Sequence, residues 1–404
     1  MISKTEERIR AWEYLDRELV LRNARYLDKK AILKNLAGIP VGIKDIFNTK
    51  DMPTQMGSPL WKYFTPGNDA RVVHNIRMQD GIIFGKTVTA EFAVHYLAET
   101  KTVNPYNADH ICGTSSSGSA VAVASYMVPL ALGSQTGGSI IRPASYCGVF
   151  GFKPTFGVIP RTGMLKTSDT LDTVGCFARS IDDIKLLFNA IRVRGINYPF
   201  VNDKLKEFKI PKKGNKIKIG FILDGVDVFA GYEPYAREAF KSYINKLSNR
   251  KDIELIKINP PADFNMIHAI HSFIYDKALS YYFKEEFKAK SKVSKIMREI
   301  IDRGNSINSA KYNYALKKQA ELRLKMEKRL SGYDVLLSLS TAGEPPVINE
   351  TEKQDTCLIW TLLGRPTLNI PKFKGPNQLP FGLQVSAQRY EDYKMLAIAK
   401  HILI

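Results

Sequence analysis

An α/β fold is the architecture this sequence predicts, and three observations predict it. Short apolar runs of strand length alternate with segments of helical period up to about residue 195. A longer helical stretch, about 233–331, is followed by three further strand-like runs. Hydrophobic residues make up 44% and charged residues 25% of the 404, the balance of a chain that folds around a core.

Residues 1–36 read as one or two helices, because Ile9, Trp12, Leu15 and Leu19 fall near helical spacing. GIPVGIKDIF, from Gly38, is an apolar strand interrupted by a lysine. Residues 71–78 read as a helix leading into a second strand, GIIFGKT, from Gly81. Residues 117–127, SGSAVAVASYM, form a helix of small residues, a composition suited to close packing at the centre. PLALGS then reads as a strand and QTGGS as a glycine turn. Residues 196–216 are a loop rich in Lys, Pro, Gly and Asn, and KIKIGFIL is the strand that follows. YDVLLSLS, RPTLNIP and PFGLQVSA are the late strands, and a final helix covers about 391–402. No internal repeat or low-complexity run is present. Strands on both sides of the lysine-rich helices can join one sheet, so the chain is expected to be a single domain over 1–404.

Composition excludes several classes. No stretch of about 18 uncharged apolar residues occurs, so a membrane span is not expected. The charged N-terminus lacks the apolar core of a secretory signal. Cys112, Cys147, Cys176 and Cys357 are far apart and form no CxxC pair, which argues against a zinc ribbon or a disulfide framework and for a reduced cytoplasmic setting. The formal charge of +19 raises the question of a nucleic-acid partner. Residues 201–330 hold 28 Lys+Arg against 16 Asp+Glu, while residues 38–182 hold 12 against 10. The excess lies outside the segments that carry chemistry, so a lysine-rich surface is expected rather than nucleic-acid binding.

Three segments carry that chemistry. Lys44 ends an apolar strand; if buried, its amine is pushed toward the neutral form and can act as a base. The alternative is an ammonium that reaches water at the strand end. GTSSSGS, from Gly113 to Ser119, is either a turn and helix cap or a cluster of hydroxyls serving a site. In SQTGGSIIRPAS, from Ser134, Ser139 follows two glycines at the end of an apolar strand. That arrangement suits a nucleophile with several backbone N–H groups aimed at one spot, although such turns also bind phosphate or merely turn.

In this order, GIPVGIKD, GTSSSGSAVAVA and GSQTGGSIIRPASYCGVFGFKPTFG closely resemble the amidase signature family, with 24 residues from Ser115 to Ser139. DGIIFGKTVTAEFA, TLDTVGCFARSIDD, STAGEPP and IWTLLGRPTLNIP extend the resemblance over roughly residues 8–402. The resemblance implies a central mixed β-sheet covered by helices on both faces, with 38–182 as the catalytic core and 196–331 as a variable helical segment. It implies an amidase that hydrolyses a carboxylic amide through an acyl-enzyme. Ser139 would be the nucleophile, Lys44 the general base, and Ser115, following a cis peptide bond, the serine that relays protons between them. The oxyanion hole would come from Thr136, Gly137, Gly138 and Ser139. No metal or cofactor is implied. His268 and His271, three apart on a helix, lack a third clustered ligand and read as ordinary helix histidines.

The sequence departs from the family pattern at Thr114, where Gly is common, at Thr170, where Ser is usual, and at Gln135, where many relatives have Asp. Its N-terminus reads as shorter by a helix or more. Arg142 has two readings: a guanidinium that pairs with a substrate carboxylate, or a structural arginine beneath the catalytic loop, which is the preferred one. Tyr146, Trp360 and Leu362 are core residues first and pocket candidates second. The expected partner is a small-molecule amide, with a homodimer as an option. SIIRPAS and the STAGEPP to IWTLLGRP region resemble stand-alone amidases. The alternatives are the glutaminase subunit of a tRNA-dependent amidotransferase, or an inactive basic binding protein.

Overall fold

The computed structural model describes residues 2–94, 100–195, 202–210, 216–225, 227–350, 352–354 and 356–403. Much of the loop expected over 196–216 lies outside the described residues. Described strands are β1 (Trp12–Tyr14), β2 (Pro40–Lys44), β3 (Ile82–Thr87), β4 (Leu130–Gln135), β5 (Phe150–Lys153), β6 (Thr173–Ala178), β7 (Ile217–Phe221), β8 (Ile253–Lys257), β9 (Val335–Leu339), β10 (Thr367–Lys374) and β11 (Pro380–Ser386). They form one mixed sheet in the order β1-β3-β2-β4-β6-β5-β10-β11-β9-β7-β8. The β3-β2-β4 and β9-β7-β8 runs are parallel, and the strands between them are antiparallel.

The helices are α1 (Ile2–Ile9), α2 (Arg17–Asp28), α3 (Arg71–Met78), α4 (Ser117–Ala124), α5 (Ile141–Tyr146), α6 (Ile181–Ile191), α7 (Asp227–Ala230), α8 (Pro234–Ser248), α9 (Ile267–Tyr282), α10 (Lys295–Ser306), α11 (Ser309–Arg329), α12 (Cys357–Leu362) and α13 (Asp392–His401). Strand alternation places them on both faces. Leu130 and Leu132 of β4 enter one core cluster, with Val73 and Ile76 of α3 and Leu187 and Phe188 of α6. Ala131 between them enters another, with the small residues of α4 and with Ala144 of α5.

The small residues of α4 have a visible reason. A Cβ added to Gly118 would lie 2.3 Å from the Ala11 carbonyl oxygen and 2.4 Å from the Val88 nitrogen. The α4 backbone touches that of the residues flanking β1 and β3 here, and only glycine permits it. Ser119 completes the fit, with its hydroxyl donating to the Leu132 carbonyl at 2.8 Å.

The structure corrects the reading of the first 36 residues. Trp12 is not helical. The Glu6 carboxylate accepts from the backbone N–H groups of Ala11 and Trp12 at 2.9 and 3.0 Å, closing the end of α1. Arg10 takes a positive φ of 53°, and the chain then pairs antiparallel to β3. A second difference is β8, an edge strand inside the largely helical 233–331 stretch.

Candidate active site

The parallel strands β2 and β4 are neighbours, so their C-terminal ends lie together. Lys44 ends β2, is fully buried, and places its Nζ 2.8 Å from Ser115 Oγ and 2.9 Å from Ser134 Oγ. Ser115 is itself buried and sits just before α4, and the Thr114–Ser115 peptide is cis. Burial pushes the Lys44 amine well below its usual range, partly opposed by the negative charge of Asp172. Burial thus favours the neutral form of the Lys44 amine, which is set against two hydroxyls.

After β4 the chain turns through Thr136, Gly137, Gly138 and Ser139 before α5. Gln135 braces this turn: its Oε1 accepts from the backbone N–H groups of Ile140 and Ile141 at 2.8 and 2.9 Å. Thr136 Oγ1 donates to the buried Asp172 carboxylate at 2.7 Å. The same carboxylate accepts from the Thr167 hydroxyl and from the backbone N–H groups of Thr167 and Ser168. Burial raises the pKa of Asp172. Gly138 has no room for a side chain: a Cβ there would be 2.7 Å from Cys357 Sγ and 2.8 Å from Arg142 Nη2. Among the described residues, the backbone N–H groups of Gly137, Gly138 and Ser139 donate to no protein acceptor.

Ser139, only partly exposed, opens with Gly137, Gly138 and Arg142 onto a cavity of about 300 Å³. Its hydroxyl makes no hydrogen bond among the described residues, Ser115 included. Nucleophile contacts of this kind often close only when substrate is bound. His268, His271, Asp276 and Arg303 line the cavity's opposite side, from α9 and α10. Asp276 pairs with Arg303 at 3.0 Å. Tyr146, Trp360 and Leu362 are buried in the protein and lie outside the cavity wall, where Leu358 is the α12 residue that faces it. Arg142 is engaged from two directions. Its Nη1 donates to the Thr114 carbonyl at 3.1 Å, and its Nε lies 3.5 Å from the buried Glu352 carboxylate.

Sequence reasoning singled out Lys44, Ser115 and the Thr136–Ser139 turn, but not Ser134, Asp172 or Thr361, and it read His271 as an ordinary helix histidine. Ser134 had a usable signal: it is a hydroxyl at the end of the strand that leads to Ser139. The other three reach the site from distant segments.

A family model described as Amidase matches residues 1–396. The chain belongs to this family. It is 31% identical to a glutamyl-tRNA(Gln) amidotransferase subunit of Natranaerobius thermophilus, over 99% of this chain and 89% of that protein. Among solved structures, one described as an amidase superposes with a TM-score of 0.85 and 26% identity, over 96% of this chain and 90% of the other. The corresponding glutamyl-tRNA(Gln) amidotransferase subunit of Thermotoga maritima superposes with a TM-score of 0.81 and 26% identity, over 98% and 88%. The chain is thus an enzyme that hydrolyses amide carbon–nitrogen bonds. No helix among the described residues is long and apolar enough to cross a membrane.

Proposed function

We propose that this amidase works by acyl transfer through Ser139, Ser115 and Lys44. The observation that carries the proposal is the fully buried Lys44 amine, 2.8 Å from Ser115 Oγ. Neutral Lys44 draws a proton from Ser115, which takes one from Ser139, and Ser139 Oγ adds to the amide carbonyl carbon. The carbonyl oxygen becomes an oxyanion, held by N–H groups of the Thr136–Ser139 segment. As the carbon–nitrogen bond breaks, Ser115 passes its proton to the departing nitrogen and is reprotonated by Lys44. Water then adds to the acyl-enzyme along the same relay, releasing the carboxylic acid and restoring Ser139.

A cavity of about 300 Å³ with charged groups of both signs suits a small polar amide. The Arg142 contacts with Glu352 and Thr114 support a structural role for that side chain. A fluorophosphonate probe is expected to label the wild type and not the Ser139→Ala variant; equal labelling would overturn the nucleophile assignment. Lys44→Ala is expected to lose amide hydrolysis near neutral pH.

The second reading is a glutaminase subunit, favoured by the 31% identity to a tRNA-dependent amidotransferase component along nearly the whole chain. A panel of amides with ammonia detection separates the two. Turnover of a simple amide by the isolated protein supports a stand-alone amidase. Turnover of glutamine alone, and only with a partner present, supports the second reading.

A further inference from the structure

Three successive carbonyls of the turn after β4 are each occupied. His271 Nε2 lies 2.7 Å from the Thr136 oxygen. A carbonyl can only accept, so Nε2 carries the proton and donates. The Thr361 hydroxyl donates to the Gly137 oxygen at 2.7 Å, and the Arg142 N–H donates to the Gly138 oxygen at 2.9 Å. These peptides are trans, and a trans peptide points its N–H opposite to its C=O. Holding the Thr136 carbonyl therefore fixes the direction of the Gly137 N–H, and holding the Gly137 carbonyl fixes that of Gly138. Both N–H groups are among those that donate to no protein acceptor.

We infer that His271 and Thr361 are positioning residues of the oxyanion site, each holding one carbonyl outward so that the next N–H faces the substrate oxygen. The inference rests on the acyl-transfer reading above. Each acts through a hydrogen bond to the backbone of the turn.

The surroundings of both residues fit the role. His271 is buried, and its ring lies 5.5 Å from that of Tyr275 one turn on, whose hydroxyl donates to the Val94 carbonyl at 2.6 Å. Its Cε1 would be 3.8 Å from a Cβ on Gly137, so ring and turn are packed together. Thr361 has a single proton to give. Gln135 Nε2, which can only donate, approaches the Thr361 oxygen at 2.9 Å, so that proton goes to a carbonyl: the Gly137 oxygen at 2.7 Å is much nearer than the Cys357 oxygen of its own helix at 3.3 Å. A carboxylate at position 135 would instead compete for the proton. The glutamine, the threonine and the turn thus form one directed chain of hydrogen bonds.

The test compares His271→Leu, His271→Gln and Thr361→Val with the wild type. It uses p-nitrophenyl butyrate for kcat and KM, and an alkyl trifluoromethyl ketone, whose adduct on a serine carries the oxyanion, for inhibition. Loss of a full oxyanion donor costs about 100- to 1,000-fold in kcat, so loosening one is expected to cost about 10- to 100-fold. His271→Leu and Thr361→Val should lose that factor in kcat with KM changed less than about threefold, and ketone affinity should fall by the same factor. His271→Gln, which still presents an N–H to the Thr136 carbonyl, should stay within about threefold of wild type. Unchanged kcat, a kcat loss without loss of ketone affinity, or equal losses in the Leu and Gln variants would each overturn the inference. Should the Leu variant fail to fold, the near-isosteric Thr361→Val decides. Fluorophosphonate labelling of wild-type Ser139 is the control: its absence would overturn the acyl-transfer reading and the inference together, whereas labelling with no effect of the variants overturns the inference alone.

Discussion

Ser134→Ala removes one of the two hydroxyls that hold the Lys44 amine, at 2.9 Å, and nothing else that bonds through its side chain. The neighbouring hydrogen bonds with Ser116 run through the Ser134 backbone and survive. A neutral amine that receives a proton from Ser115 has two N–H bonds to place, and the substitution strips one of them of its partner at a buried position. A buried donor left unmade costs about 1–3 kcal/mol. If that cost falls on the geometry in which Lys44 meets Ser115, kcat drops about 5- to 150-fold. A second effect has a fixed sign. An ammonium needs the Ser134 oxygen more than a neutral amine does, so its removal lowers the Lys44 pKa further below its already depressed value. The acid limb of kcat/KM, along which activity is lost as Lys44 becomes protonated, then moves to lower pH. Stopped assays with p-nitrophenyl butyrate over the pH range measure both effects, with Ser134→Thr as the variant that keeps the hydroxyl. A Ser134→Ala enzyme within twofold of wild type, or a limb displaced to higher pH, would refute the reasoning.

Two further outcomes follow from neighbouring features. Asp172→Asn leaves one acceptor oxygen where there were two, so its NH₂ faces either the Thr136 and Thr167 hydroxyls at the Oδ1 position or the Thr167 and Ser168 N–H groups at the Oδ2 position. It should lower unfolding free energy in urea by at least about 2 kcal/mol. It also removes the negative charge that raises the Lys44 pKa, so its acid limb should again move to lower pH. Gly118→Ala sets a methyl against the Ala11 oxygen and the Val88 nitrogen, and thermal unfolding should report a loss of about 3 kcal/mol; an unchanged midpoint would show that α4 can move away from the sheet.

The parts of the site that were legible in the sequence are those whose chemistry and backbone demands sit close together along the chain. A lysine at the end of an apolar run, and glycines beside serines, are local signals. So was the small-residue composition of α4, since a helix with nothing larger than valine in its body has to meet its neighbours closely. The illegible parts depend on distant contacts. His271 reaches a carbonyl 135 positions away and Thr361 one 224 positions away, and neither type of residue announces such a bond in advance. Trp12 misled for a physical reason: its spacing from Ile9 suits a helix, but Glu6 spends its carboxylate on ending α1 before Trp12 is reached. The strand β8 was masked by its own surface position, because Ile253–Lys257 lacks the period of a half-buried strand, with Leu255 and Ile256 adjacent and only Ile253 buried, at a sheet edge next to long amphipathic helices.

The order of strands bears on how the molecule comes into being. Strands from residues 12–178 form one side of the sheet, those from 217–339 form the other, and only the β10–β11 hairpin joins β5 to β9. A ribosome making this chain therefore releases two half-sheets, each with an open edge, before the hairpin that seals them, which begins only at Thr367. Open edges invite pairing with other chains. A message that ends before Thr367 would yield a sticky fragment rather than a weak enzyme, and the β10–β11 hairpin decides whether the residues before it are useful or hazardous.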